Sequence, residues 1–411
     1  MNSVFIQQNS LKVNKYFPFI FIYFFINSLA LPFGLTYTSL LAPLFYVWVL
    51  LVRKKEIVLP FLAILTPFII LHITVVDVEK KSYFLSLFNL LLVYISCQAV
   101  YTFLKLCNDP EEIFRKILIL NFIFCLVAIP FYFTRTPNIL WQQQAITTGL
   151  AKSRRLQLFT YEPSFYALLF TPFFFFFFWN YLLRYNRIPR LLLFAMLLLP
   201  YILSFSVGVI GSILVSAILV WLIYFRRLTR KRRVLNIVIN TGLLFTSAFM
   251  IMLVFFRKNA LFFRIGNIAA GEDSSGKGRT ADAFIIADKL LRLTNEYWGV
   301  GLGQVKLIGE NIIRDYYLYY ENFSVAIPNA AAETLAIFGW VGFCLRISIE
   351  IALFFHTKVW RNYYRLSLFF FMFIYQFTGS FITNLAEYVI WIIAFTPVFK
   401  QFDIVRKDKS R

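Results

Sequence analysis

Two stretches of polar residues in a strongly apolar chain could carry chemistry. In the first, Arg154 and Arg155 precede the tripeptide Glu162-Pro163-Ser164, which leads directly into a long apolar run. Pro163 suits the first turn of a helix, and the positive end of a helix favours an anion nearby. The arginines could bind that anion while Glu162 accepts a proton. In the alternative interpretation, Glu162 is only a favourable N-terminal residue and the arginines are anchors at a membrane interface.

The second stretch contains Gly278 and Arg279, a turn with glycines at positions Gly299, Gly301 and Gly303, and the pair Asn329 and Glu333. The alternating glycines do not match a dinucleotide-binding fingerprint, and they predict a tight turn. Asn329 and Glu333 are four residues apart, so they share one helix face. A carboxylate that enters an apolar span usually faces a polar cavity, and a functional role is therefore predicted for Glu333.

Other polar residues indicate structural roles. Arg346 and Glu350 repeat the four-residue spacing deeper in the same span, where an ion pair would satisfy both charges. The histidines His72 and His356 lie in or at the end of apolar runs, so neither a histidine metal site nor a Ser-His triad is expected. The cysteines have no metal-type spacing. We therefore predict no metal and no cofactor.

The composition defines the class of protein that must position these residues. Of 411 residues, 60% are hydrophobic and only 15% are charged, whereas a soluble chain carries about 25% charge. This excludes a soluble enzyme, a disordered chain and a disulfide scaffold. The net charge of +21 would suit nucleic-acid binding, but most lysines and arginines flank apolar runs, as they do in membrane proteins. Nucleic acid is therefore not an expected partner, and membrane lipid is.

Apolar windows of helical length predict an all-α, polytopic membrane protein with about twelve spans and one helical membrane domain, 1–411. The windows are 17–33, 35–52, 57–75, 82–104, 117–133, 164–182, 191–206, 207–225, 234–256, 329–355, 366–384 and 385–399. Nearly all basic residues of the short loops fall on one side, which is therefore predicted to be cytoplasmic. Both termini are predicted on that side, and the segments 134–163 and 257–328 face outward.

The larger outer segment contains an amphipathic pattern. Thr280 is a candidate N-cap for a helix with apolar positions at Ala283, Phe284, Ile286, Ala287, Leu290 and Leu291. The polar face is predicted to carry Asp282, Asp288, Lys289 and Arg292, with Ile285 as the apolar exception. Such a helix could lie on the outer membrane surface, or it could hold Arg279 over a site at the membrane boundary. The two arrangements are compatible.

At these residues the chain resembles the bacterial O-antigen polymerases, within the wider O-antigen ligase-like membrane proteins. Arg155 with Glu162-Pro163-Ser164 is similar to their Arg and Glu-Pro-Ser pattern, although Leu158 stands where a glycine is common. Gly278-Arg279, the amphipathic segment and the turn from Gly299 to Gly303 resemble the large-loop signature. Asn329, Glu333, Gly339 and Gly342 resemble the closing pattern.

The resemblance implies a glycosyltransferase of the inner membrane whose active site faces the periplasm. It would join repeat units carried on undecaprenyl diphosphate, in lipopolysaccharide biosynthesis, with lipid-linked glycan as both donor and acceptor. A chain-length regulator is a further partner in such systems. The implied catalytic residues are Arg155, Glu162 and Arg279, and the implied substrate-binding residues are Arg154, Ser164, Gly301, Gly303, Asn329 and Glu333.

Two alternatives stay open at this point. The chain could be a ligase that transfers glycan to lipid A core, although Pro328 stands where ligase relatives often have a histidine. It could also be a flippase or transporter, but the charged candidates cluster at the ends of spans rather than at mid-membrane. Within the polymerase interpretation, the base that accepts the hydroxyl proton is Glu162 or Glu333. The motif favours Glu162, whereas the deeper position in a span favours Glu333.

Overall fold

The computed structural model describes residues 17–27, 37–144, 153–183, 188–230, 274–316 and 326–404, with scattered positions between 231 and 273. The helices before the first strand are α1 (Phe17–Phe21, continued by Ile22–Ile26), α2 (Tyr37–Val52), α3 (Val58–Leu71, continued by His72–Val76), α4 (Lys80–Leu106) and α5 (Pro110–Phe131). A hairpin of β1 (Trp141–Gln144) and β2 (Ser153–Leu156) follows.

The remaining helices are α6 (Pro163–Leu183), α7 (Arg190–Ser204), α8 (Val207–Ile223), α9 (Phe225–Thr229), α10 (Ser274–Arg279), α11 (Ala281–Leu293), α12 (Val305–Tyr316), α13 (Ala330–His356), α14 (Tyr363–Tyr375) and α15 (Leu385–Phe395). Among the described residues, five helices are long and apolar enough to cross a membrane: α3 with its continuation, α4, α5, α6 and α13. The protein is thus a predominantly helical chain with membrane-spanning segments. The predicted span 234–256 falls almost entirely outside the described residues.

Helix α6 forms the centre of the bundle. Almost all of its side chains are buried, including most of the phenylalanine run, and it packs against α7, α8, α14 and α15. Phe176, for example, lies 4.8 Å from Phe399 and 5.3 Å from Phe402 between ring centroids. These rings fill the space between helices. Residues at the N-terminal end of α6 are therefore held by a firmly packed helix.

The connections between helices meet at two opposite ends of the bundle. At one end, Arg155 of β2 bonds to the carbonyl of Ser204, and Gln304 exchanges hydrogen bonds with the backbone of Glu79. At the other end, the Tyr224 hydroxyl bonds to the carbonyl of Trp360, and Asn362 bonds to Asp403. The described segments 134–144, 153–162 and 274–316 thus share one end, which also contains the connections after α3, α7 and α14.

Helix α13 is kinked at Gly339, and the segment after α11 fits into the kink. Gly339 has a φ of +64°, and a Cβ atom there would lie 2.2 Å from the carbonyl oxygen of Tyr297. The amides of Val300 and Gly301 bond to the carbonyls of Ala336 and Ile337, at 2.9 and 3.0 Å. The backbone groups that the kink leaves without helical partners are therefore satisfied by the turn.

Helix α11 buries Ala283, Ile286, Ala287, Leu290 and Leu291, as the periodicity predicts, and packs against α12 and α13. Two details of the prediction are wrong. The Thr280 hydroxyl bonds back to the carbonyl of Gly276, at 2.9 Å, and does not cap α11. Asp282 is buried rather than part of the polar face, because it accepts a hydrogen bond from the Tyr316 hydroxyl of α12, at 3.0 Å.

A buried ionic cluster joins α13, α14 and α15. Arg346 pairs with Glu350, at 3.2 Å, as the spacing predicts, and it also pairs with Glu387 of α15, which the sequence analysis did not identify. Gln376 at the end of α14 bridges Arg346 and Glu350, with contacts of 2.9 and 2.7 Å. The cluster fixes three apolar helices relative to one another.

The predicted span 366–384 is only partly helical. Helix α14 ends at Tyr375, and residues 376–384 form an irregular turn before α15. Ser380 within it has a φ of +71°, which a continuous helix cannot contain. Most residues of this irregular backbone are buried or half-buried within the protein, which makes the turn compatible with a membrane environment.

Candidate active site

A pocket opens at the bundle end where the two long connections meet. It is lined by Tyr161, Glu162, Ser164, Phe165, Leu168, Arg279, Pro328, Tyr375, Ser380, Phe381 and Asn384. These residues come from the start of α6, the end of α10, the approach to α13 and the turn after α14. Its cavity volume is about 30 Å³, enough for a few water molecules, so a larger ligand would extend out through the open side of the pocket.

An ion pair of Glu162 with Arg279 forms the polar centre of the pocket. The Arg279 Nη2 atom lies 3.2 Å from Glu162 Oε1, and the Ser164 hydroxyl donates to the same oxygen. The two charged side chains are 21% and 33% exposed, so a ligand can reach both. Among the described residues, no hydrogen bond reaches Glu162 Oε2. That oxygen is available to accept a proton from a ligand hydroxyl.

Burial alone would lower the pKa of the Arg279 guanidinium, but the charge and hydrogen bond of Glu162, together with the nearby Tyr375 and Tyr161, hold the pKa above its ordinary value. Arg279 is therefore a permanent cation in a partly desolvated site. A guanidinium presents several N–H donors in a planar fork, which matches the oxygens of a phosphate. The arrangement can bind an anionic group directly beside a carboxylate.

The backbone before Glu162 is held in an unusual conformation. Leu158 has a φ of +50°, in the left-handed region that glycine adopts without strain. At this position the O-antigen polymerases that the chain resembles often have glycine. The strain is offset by burial of the Leu158 side chain and by a 3.1 Å bond from its amide to the carbonyl of Leu140. Pro163 then begins α6, as predicted, so Glu162 stands at the start of the central helix.

Asn329 positions Arg279. Its side-chain amide donates to the carbonyl of Arg279, at 2.8 Å, and to that of Phe377, at 2.7 Å. Its oxygen accepts from the amide of Ala332 and caps α13, at 2.8 Å. Asn329 is fully buried, so it contributes to the site by joining three segments rather than by lining the pocket.

The hairpin directs its two arginines to opposite faces, because neighbouring residues of a strand alternate. Arg154 stacks on the ring of Tyr132, at 5.2 Å, and bonds to the carbonyl of the same residue. Arg155 bonds to the carbonyl of Ser204, at 2.9 Å, and its charge acts on the Tyr375 hydroxyl, which lines the pocket. Of the two, Arg155 is the one beside the site, and neither lines it.

Glu333 lies behind the pocket wall. Its Oε2 atom accepts a 2.7 Å hydrogen bond from the amide of Ile382, in the turn after α14. This contact holds the turn that carries Ser380 and Asn384. Glu162 and Glu333 are therefore placed differently: the first faces the pocket with Arg279, and the second supports the backbone.

Gly301 and Gly303 lie away from the pocket, where the turn after α11 packs on the start of α4. Their φ values are +89° and +75°. A Cβ atom at Gly303 would lie 2.5 Å from the carbonyl oxygen of Ser82, so only glycine fits. The structure thus brings together Glu162, Ser164 and Arg279, with Asn329 and Glu333 beneath them, but it does not bring these glycines into the pocket.

Three residues of the pocket, Tyr375, Ser380 and Asn384, are not among those that the sequence motifs predict. All three lie within a window that hydropathy assigned to one span, and that window is apolar enough to conceal a turn. The adjacent Gly379 and the polar spacing of Ser380, Thr383 and Asn384 are the signal that could have indicated it. Within the described ranges, no cluster of three His, Cys, Asp or Glu residues could hold a metal ion. No known family model matches the chain, and no curated protein matches it.

Proposed function

We propose that the protein is a membrane glycosyltransferase of the O-antigen polymerase type, acting on undecaprenyl-diphosphate-linked repeat units at the periplasmic face of the bacterial inner membrane. The main support is the convergence of separate sequence motifs. Glu162-Pro163-Ser164, Gly278-Arg279 and Asn329 are remote in sequence, yet Glu162 contacts Arg279 and Asn329 holds the Arg279 backbone. Chance matches would have no reason to be joined by direct contacts, although the glycine turn of the same large-loop signature lies outside the pocket.

The site supplies the two functions that this transfer needs. The bond between the anomeric carbon of the growing glycan and an oxygen of its lipid diphosphate breaks, and the electron pair leaves with the diphosphate. Arg279 stabilises the negative charge that develops there. The acceptor hydroxyl oxygen bonds to the anomeric carbon, and its proton passes to Glu162. Arg155, beside the site, adds positive potential.

The ion pair implies that the donor diphosphate binds before the acceptor hydroxyl gives up its proton. Without substrate, Arg279 neutralises Glu162. A diphosphate carries more negative charge than one carboxylate and competes for the guanidinium. Once Arg279 bonds to the diphosphate, Glu162 is released from the ion pair and can accept a hydrogen bond from the acceptor hydroxyl. Donor binding would thus prepare the base for the acceptor hydroxyl.

The proposal requires the pocket to face the periplasm. In a chain that lacks the exposed Cys344, a cysteine in place of Leu293, which is 65% exposed at the end of α11, should react with a membrane-impermeant maleimide added to spheroplasts. A cysteine in place of the exposed Arg53, at the opposite end of the bundle, should react only after lysis. The reverse pattern would exclude a periplasmic site.

The function itself is tested with a deletion strain and its surface glycan. A polymerase deletion should leave glycan with single repeat units, and the gene supplied in trans should restore the ladder of longer chains. Loss of all surface glycan would indicate a ligase or a flippase and would overturn the proposal. Purified protein with lipid-linked repeat units should form longer lipid-linked products. Transfer to lipid A core instead would show ligase activity.

A further inference from the structure

We infer that the turn at 376–384 forms a sugar-binding subsite, in which the Ser380 hydroxyl donates a hydrogen bond to a neutral sugar at the reacting bond. The inference rests on the proposed function and names residues that the motifs do not include. The pocket has two chemically different walls. One carries the ion pair of Glu162 and Arg279, whereas the other is uncharged and carries Ser380, Phe381 and Asn384.

An uncharged wall suits the sugar rather than the diphosphate. Phe381 on this wall, and Tyr161 and Phe165 elsewhere in the pocket lining, present aromatic surface on which the apolar face of a sugar ring can pack. Tyr161 and Phe165 are themselves packed, with ring centroids 4.9 Å apart. Few but well-placed polar groups among apolar ones are typical of sites that orient a small ligand.

The hydrogen bonds around Ser380 leave its hydroxyl proton available to a ligand. The side-chain amide of Asn384 donates to its hydroxyl oxygen, at 2.9 Å, and among the described residues the hydroxyl proton has no acceptor. The Asn384 oxygen accepts from the amide of Ala386, at 3.0 Å, so its amide orientation is fixed. Ser380 also has the left-handed φ of +71°, a strained backbone of the kind found at functional sites.

Glu333 is a positioning residue for this subsite. Its carboxylate accepts from the amide of Ile382, and the Tyr388 hydroxyl donates to the carbonyl of Ile382, both at 2.7 Å. The two peptide groups that flank Ile382, directly after Ser380 and Phe381, are thus fixed. Glu333→Gln retains an oxygen that can accept from Ile382, whereas Glu333→Ala does not. A positioning role therefore predicts that Gln preserves sugar binding and that Ala weakens it.

The test is binding to the full-length protein in lipid nanodiscs with two probes, an undecaprenyl-diphosphate-linked repeat unit and undecaprenyl diphosphate alone. Ser380→Ala should weaken binding of the glycan-bearing probe about fivefold, the effect of one hydrogen bond, and leave binding of the sugar-free probe unchanged. Ser380→Gly should have the same effects as Ser380→Ala on the binding of both probes. Because glycine accepts the positive φ without strain, a loss in that variant does not come from misfolding.

Ser212→Ala is the matched control, since Ser212 is similarly buried but bonds within α8 to the carbonyl of Gly208. It should change neither affinity. Equal affinities for the glycan-bearing probe in wild type and in both Ser380 variants would overturn the subsite, as would equal losses for the two probes. If wild-type protein binds both probes and Ser380 acts as expected, but no polymer forms, the subsite stands and the proposed function fails.

Discussion

Replacement of Arg279 by lysine is expected to remove most long-chain glycan while the protein stays in the membrane at its normal level. Lysine keeps the positive charge but loses the planar fork, which can bond two phosphate oxygens at once. Loss of one such donor to a developing negative charge slows catalysis on the order of a hundredfold. The measurement is the glycan ladder of a complemented deletion strain, together with the rate of chain extension by purified protein.

Arg292→Lys is the control for this variant. Arg292 lies on the exposed face of α11 and pairs with Asp288 at 2.8 Å, far from the pocket lining. Its replacement should leave the ladder unchanged. A normal ladder from Arg279→Lys, at a normal protein level, would show that another group stabilises the leaving diphosphate. Arg155 would then be the next candidate, because its charge acts on the pocket residue Tyr375.

Glu162→Gln is expected to abolish polymerisation and at the same time to strengthen binding of undecaprenyl diphosphate. The amide oxygen of glutamine can still accept hydrogen bonds from Ser164 and Arg279, but it cannot take up the acceptor proton at neutral pH. Loss of a general base costs about 10²–10⁴ in rate. Removal of the negative charge also weakens the hold on Arg279, so the diphosphate competes only with a neutral amide for the guanidinium.

The comparison variant is Glu333→Gln, which removes the same charge behind the pocket and should keep the glycan ladder. If Glu333→Gln stops polymerisation and Glu162→Gln does not, the roles of the two glutamates are reversed. If both variants polymerise normally, neither is the base, and stabilisation of the leaving group carries the reaction. The opposite changes in rate and affinity expected for Glu162→Gln also separate a catalytic defect from a folding defect.

Much of the fold could be predicted because its signals are local. Hydropathy identifies apolar helices, and a period of 3.6 residues identifies the buried face of α11. Asp282 shows the limit of periodicity. Its burial depends on the hydroxyl of Tyr316, which lies 34 residues away on α12. No pattern within one helix contains that partner.

The pocket could be predicted only in part, for a similar reason. Glu162 and Arg279 stand in recognisable motifs, but their contact joins residues 117 positions apart. The pocket wall with Ser380 could not be predicted from the sequence, because hydropathy does not distinguish a spanning helix from a buried turn. The turn is stable only through partners on other helices, such as Glu333 and Tyr388. Glu387 was missed likewise, since its neighbours in sequence are apolar.

The buried cluster around Arg346 has a consequence for biogenesis. During synthesis, α13 reaches the membrane before α15 exists, and an arginine inside a lone span is costly to insert. At this stage Glu350, four residues further along the same helix, can already pair with Arg346 and balance its charge. Once α15 follows, Glu387 becomes the second partner and draws the later helix against the earlier one. These charges join α13 and α15, and α14 and α15 flank the turn at 376–384 that lines the pocket.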